Sequence, residues 1–161
     1  MKLTKSCSDD LNTCHGGILA IAELCLGWGK DHIAKWREEK STSSKDIIET
    51  ITRIPISIPQ HHLSSFGSEL IRIALCHLIT NLAKVDWPIH YGFLTHSEDV
   101  ECCNISKEWM DFIWQCFDRK EESIRISVVN TIAALSSSWG LHSSEIDKYP
   151  FLFFSLIFLL F

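Results

Sequence analysis

The sequence predicts an all-α fold built from antiparallel helix pairs. Two observations carry that expectation. Apolar residues recur at three- and four-residue steps in stretch after stretch, the mark of helices that bury one face. Short polar, glycine or proline breaks separate those stretches, and no run alternates cleanly enough to be a strand.

The first helix is expected from Asp10 to Gly29. Leu11, Cys14, Ile18, Ile21, Ala22 and Cys25 form its apolar face, with Ser8 and Asp9 as candidate N-caps and Gly27 and Gly29 as the stop. Inside it lies His15-Gly16-Gly17. A glycine in a helix interior costs about 1 kcal/mol relative to alanine, so these are read as sites of close helix–helix approach. Lys30 to Lys45 reads as a polar surface loop with a helical turn around Ile33 to Glu39. Ser44 is expected to cap a second helix, Lys45 to Arg53, with Ile47, Ile48, Ile51 and Ile54 on one face. Pro55 and Pro59 should end it, because proline lacks an N–H and disfavours helix just before it. Ile54 to Ile58 then reads as an extended linker.

The clearest periodicity spans Phe66 to Lys84. Leu70, Ile71, Ala74, Leu75, Leu78, Ile79 and Leu82 form its stripe, with Glu69, Arg72, Thr80 and Asn81 off it. Gly67 and Ser68 mark the start and Asp86-Trp87-Pro88 the end. His90 to Asn104 reads as a loop. Ser106 should cap a fourth helix facing inward with Trp109, Phe112, Ile113, Cys116 and Phe117. After the charged break 118–122 comes a fifth, Ser123 to Trp139, with Ile124, Val128, Ile132, Leu135 and Trp139 in the core and Gly140 as its stop. Two-helix HEAT or armadillo units take roughly 40–47 residues. A HEAT/armadillo-like α-solenoid segment is therefore expected over residues 1–148.

Residues 149–161 are set apart as an apolar tail. Tyr149 to Phe161 holds eleven apolar residues in thirteen. As a helix it spans about 20 Å, short of the roughly 30 Å of bilayer hydrocarbon. It reads first as a truncated or aberrantly spliced end, with a buried helix and a membrane contact as the competing readings.

Composition narrows the function classes. Hydrophobic residues make up 46% and charged residues 22%, in the globular range. The formal net charge of −5, with no dense basic tract, argues against a nucleic-acid partner. The opening residues are polar and lack an apolar signal core, and the seven cysteines are scattered. Free thiols in the cytoplasm are the expectation. Cys14, Cys25, Cys76 and Cys116 fall on apolar helical faces, where cysteine acts as a small hydrophobe.

No zinc spacing is present, since C-x-x-C, H-x-x-x-H and HExxH are all missing. His90, His96, Cys102 and Cys103 could converge on a metal, and a solvated loop is the better reading. Asp9-Asp10 and Glu121-Glu122 sit where helices start, and there the dipole alone favours negative charge. No nucleophile motif and no phosphate loop appears. Neither an enzyme acting by its own residues nor a resident cofactor or metal is expected.

Three blocks resemble a known family. Asp10 to Leu24, with His15-Gly16-Gly17-Ile18-Leu19-Ala20 and Ala22-Glu23 inside it, is similar to the "HGxILAxAE" segment of the tubulin-specific chaperone D (tubulin-folding cofactor D) family. Phe66 to Cys76 resembles that family's "GGxLMRxAVC" helix, with Phe66 where the family tends to carry a second glycine. Ser123 to Leu135 is similar to its "AAVSALAAL" helix. The resemblance implies the C-terminal helical domain of a long solenoid, present here as a fragment or a variant transcript's product. It implies binding of β-tubulin, assembly or dissociation of the αβ heterodimer with other tubulin-folding cofactors and an Arf-like small GTPase, and a part in stimulating GTP hydrolysis by tubulin. The tail matches nothing in the family. Trp36, Trp87 and Tyr91, taken as exposed loop aromatics, are the candidate partner contacts. The alternative is an unrelated helical interaction scaffold with a membrane-associating tail.

Overall fold

The computed structural model describes residues 10–39, 41–65, 67–88 and 100–138, and every regular element among them is a helix. The elements are α1 (Leu11–Glu39), α2 (Thr42–Ser57), α3 (Gln60–Ser64), α4 (Ser68–Lys84), α5 (Val100–Phe117) and α6 (Glu122–Ser138).

Asp10, one residue after the expected caps, starts α1. Its carboxylate accepts from the Asn12 and Thr13 N–H groups, each at 3.1 Å, and from the Thr13 hydroxyl at 2.6 Å. Those bonds satisfy donors that a helix start leaves open. Gly29 breaks the helix, at φ 69° and ψ 171°. The chain then re-enters helix as far as Glu39, where a loop was expected. Ile33 is fully buried in that second limb, and the Trp28 and Trp36 rings meet across the break with centroids 4.7 Å apart. Packing thus recovers the helix that the glycine interrupts.

Ser41, not Ser44, caps α2, and its hydroxyl accepts from the Ser44 N–H at 3.2 Å. Pro55 lies inside this helix and is buried, so the expected stop and linker are both corrected. It stands in the last turn, where the missing N–H forfeits one bond and little helix follows. On the predicted apolar face Ile51 is buried and Ile48 and Ile54 half-buried, while Ile47 is exposed. Helix α3, which periodicity missed because it is so short, buries His62 and Leu63.

Helix α4 is the centre of the molecule. It lies against α1 on one flank, α6 on the other and α3 at its start. Ile71, Ala74, Leu75, Leu78, Ile79 and Leu82 are buried as expected, but Leu70 is 46% exposed. Arg72, Thr80 and Asn81, expected on the solvated side, are also buried. A helix covered on several sides keeps only a narrow solvated strip, and these three residues fall outside it.

Cross-helix contacts set the directions. Leu11 at the start of α1 meets Gly67 at the start of α4, Glu23 reaches His77, and Lys30 pairs with Asp86 at 2.9 Å. Both helices therefore run the same way. So do α4 and α6, since Glu69 bonds Ser123 and Thr80 bonds Thr131. Helix α5 runs opposite to α4: its end carries Cys116 beside Arg72, and its middle carries Trp109 against the Thr52 that also holds Trp87. Beginning at Val100, α5 takes in residues 100–104, which were expected in a loop, and starts before the predicted Ser106 cap. Trp109, Phe112, Ile113 and Cys116 are buried, with Phe117 half-buried. In α6, Ile124, Val128, Ile132 and Leu135 are core as expected. Trp139, Gly140, residues 90–99 of the expected loop and the tail 149–161 lie outside the described residues.

Among the described glycines, close approach occurs at Gly67. At φ 85° this residue occupies the left-handed region, and an added Cβ would lie 2.8 Å from Leu11 Cδ2. Gly16 and Gly17 have nothing within 4 Å of such a carbon, which overturns the expected close contact there. Gly17→Ala should therefore raise stability by about 0.5–1 kcal/mol, the helix-propensity gain. Gly67→Ala should lower it by more than about 1 kcal/mol, through strain and crowding. Chemical denaturation of the two variants checks both signs.

Thr52 holds two buried indoles together. Its hydroxyl accepts from Trp87 Nε1 at 2.9 Å and donates to the Ile48 carbonyl at 2.7 Å, while its own carbonyl accepts from Trp109 Nε1 at 3.1 Å. Thr52→Val removes only the hydroxyl and orphans a buried N–H, at a cost of about 1–3 kcal/mol. A fall in melting temperature of several degrees is expected by calorimetry, and an unchanged value would contradict the assignment.

Candidate functional site

Three co-directional helices, α1, α4 and α6, leave a groove of about 740 Å³ along their shared face. Leu19, Ile73 and Ala134 form its half-buried apolar wall, and Lys84, Asn130 and Ser137 line it with exposed polar groups. It exists because α4 and α6 each place small or β-branched residues where they meet. Thr80 and Thr131 sit at the bottom of that seam with hydroxyls 3.0 Å apart, both within reach of the Cys76 carbonyl. Short side chains let the two helices approach closely along this seam.

At the α1 side the groove carries a polar cluster. His77 Nε2 lies 2.6 Å from Glu23 Oε1, and Asn81 Nδ2 donates to the Ala22 carbonyl at 3.1 Å, with Glu23 Oε1 at 3.4 Å. The short His77–Glu23 contact places a proton on Nε2, aimed at the carboxylate. This hydrogen bond holds the Glu23 carboxyl below its usual range, with the Asn81 amide helping. Asn81 is fully buried and its Oδ1 has no partner.

The predicted partner contacts fare differently. Trp36 lies on the second limb of α1, not on a loop, and is half-buried. It meets His32 with centroids 4.9 Å apart as well as Trp28, so the rings form a packed aromatic row. Trp87 is fully buried, which removes it as a partner contact. The cause is the turn that ends α4. Asp86 takes a left-handed φ of 53°, and the Trp87 N–H bonds back to the Leu82 carbonyl at 3.0 Å, folding the indole under the helix end. An apolar residue two places past a helix end is a sequence signal for such a contact, and here it points to core. Tyr91 lies outside the described residues.

The paired carboxylates are accounted for structurally. Asp10 caps α1, and the Thr13 hydroxyl is the chief reason its carboxyl is held low. Glu121 takes both Arg119 Nε at 3.2 Å and Nη2 at 2.8 Å, and that pair holds its carboxyl low too. Among the described residues no group of three or more His, Cys, Asp or Glu could hold a metal. His90 and His96, and the side chains of Cys102 and Cys103, lie outside them. No described helix is long and apolar enough to cross a membrane.

Comparison with protein-family models, curated proteins and solved structures finds no match to this chain.

The groove's polar cluster predicts a pH effect. Because the folded state lowers the Glu23 pKa, its contribution is present above the unfolded carboxylate value and is lost as pH falls through the folded one. Glu23→Gln should therefore show a smaller fall in melting temperature than the wild type on acidification from neutral pH. Parallel curves for the two proteins would contradict the assignment.

Proposed function

We propose that this chain is an interaction segment of a helical-repeat protein, HEAT/armadillo-like in arrangement, that works as part of a tubulin-folding cofactor. The observation that carries the reading is spatial. The three blocks that resemble tubulin-specific chaperone D fall on α1, α4 and α6, the helices that run the same way and pack side by side. Residues 10–24, 67–76 and 123–135 are far apart in sequence, yet they lie on α4 and on the helices that pack on either side of it. In a repeat stack, equivalent helices of successive units align in this manner, and the face they share is the usual binding surface.

On this reading the groove between α4 and α6 receives β-tubulin, or a partner cofactor handling it, in the cytoplasm. Its apolar wall supplies contact area, and Lys84, Asn130 and Ser137 supply directional bonds at the rim. On this reading chemistry on GTP stays with tubulin and the Arf-like GTPase, and the chain contributes helix faces.

Purified chain immobilised on beads should retain αβ-tubulin from a purified tubulin pool. Asn130→Glu combined with Ala133→Glu, both at exposed groove positions, should weaken retention by about tenfold, or roughly 1.4 kcal/mol, without lowering the melting temperature. No retention by the wild type would overturn the tubulin reading. Undiminished binding by the folded double variant would overturn the placement in the groove.

A further inference from the structure

The solvated strip of α4 stays apolar beyond the groove it borders. Leu70 stands three residues before Ile73 and seven before His77, so the three share one side of the helix. Leu70 is 46% exposed, and Ile73 is half-buried. On α6, Ile126 stands four residues before Asn130 and seven before Ala133, and it is 54% exposed. The hydrogen bond between Glu69 and Ser123 ties the two helices at that end, which brings Leu70 and Ile126 to the same end of the seam. Toward the other end the α6 wall is built from small side chains, Ala133, Ala134, Ser137 and Ser138. Exposed large apolar residues beside a trough lined by small ones mark a surface that bulky apolar groups fit.

The chain itself carries a segment that needs such cover. Residues 149–161 hold eleven apolar residues in thirteen, five of them Phe, and no Asp, Glu, Lys or Arg. An apolar run with no polar side must be buried against protein or lipid. As a helix it measures about 20 Å, short of the roughly 30 Å of bilayer hydrocarbon, which favours protein. Ten residues, 139–148, join it to Ser138, which lines the groove. Ten extended residues reach about 33–36 Å, while the 17 residues of α6 measure about 25 Å. The linker is therefore long enough for the segment to return along the whole groove. A short tether also keeps it at an effective concentration on the order of millimolar, so modest contact area suffices.

We propose that residues 149–161 dock into the α1–α4–α6 groove of their own chain. Their Phe and Leu side chains lie over the small residues of α6 and against Leu19, Leu70, Ile73 and Ile126. The segment and a protein partner then compete for one surface. The proposal needs only the shape and apolar character of the groove, and it stands whether or not tubulin binds there.

The test uses the full chain with p-benzoylphenylalanine in place of Phe154 and, separately, of Phe158, in buffer free of tubulin and lipid. Irradiation of the dilute protein should cross-link the segment within one chain, and peptide mapping should place most of the product on α4 or α6. Ile126→Glu combined with Ala133→Glu, both at exposed positions, should cut that product by about tenfold, since it puts charge under an apolar segment. The melting temperature of the double variant should not fall. Product mainly between two chains, or mainly on α2, α3 or α5, would overturn the proposal. So would an undiminished yield from the folded double variant, or flotation of the full chain with phosphatidylcholine vesicles, which assigns the segment to lipid. With no tubulin present, the outcome is read apart from the retention assay.

Discussion

Helix α4 is covered on several flanks, and its buried polar side chains Arg72, Thr80 and Asn81 each find a partner inside the protein. Arg72 is answered by the Leu63 carbonyl and the Cys116 sulfur, Thr80 by Thr131, and Asn81 by the Ala22 carbonyl. Each partner comes from a different element: α3, α5, α6 and α1. An unanswered buried polar group costs about 1–3 kcal/mol, so the set works as a list of addresses for the surrounding helices. Apolar contact alone would let α1 or α6 slide by a turn, whereas these bonds do not tolerate that shift.

The seam among α2, α5 and the end of α4 follows the same logic with larger side chains. Trp87 and Trp109 each bring a wide apolar surface and a single N–H that must be satisfied. Thr52 satisfies both, one through its hydroxyl and one through its carbonyl. Such packing also explains the tolerance of local faults. Gly29 and Pro55 would each end an isolated helix, but the residues beyond them, Ile33 in one case and the buried Pro55 ring itself in the other, belong to the core. Burial outweighs the local preference.

Function follows from what this packing leaves over. With α1, α4 and α6 aligned, small residues close the α4–α6 seam and a groove with an apolar wall and a polar rim remains along their shared face. The buried Arg72 guanidinium faces α5 instead, where Cys116 Sγ lies 3.4 Å from its Nη1.

Much of the helix pattern was legible in the sequence. Cys14, Ile18, Ala22 and Cys25 of α1, and Ile124, Val128, Ile132 and Leu135 of α6, were placed correctly because each of these helices buries one stripe, and a stripe is a local periodicity. The burial of Arg72, Thr80 and Asn81 was not legible by that rule. A signal was present, since from residue 70 to 83 the only Asp, Glu, Lys or Arg is Arg72, as suits a helix buried nearly all round. The groove was illegible, because its walls come from three helices well separated in the chain, around Leu19, Ile73 and Ala134. By itself the sequence determined the buried stripes of α1 and α6 and the all-helical character, since propensity and periodicity act within a turn or two. Tertiary structure alone decided which breaks are overridden, that Trp87 is core, that Gly67 and not the His15-Gly16-Gly17 step is the close contact, and that a cation meets a thiol. Each of those depends on a neighbour distant in sequence, whose position no local pattern records.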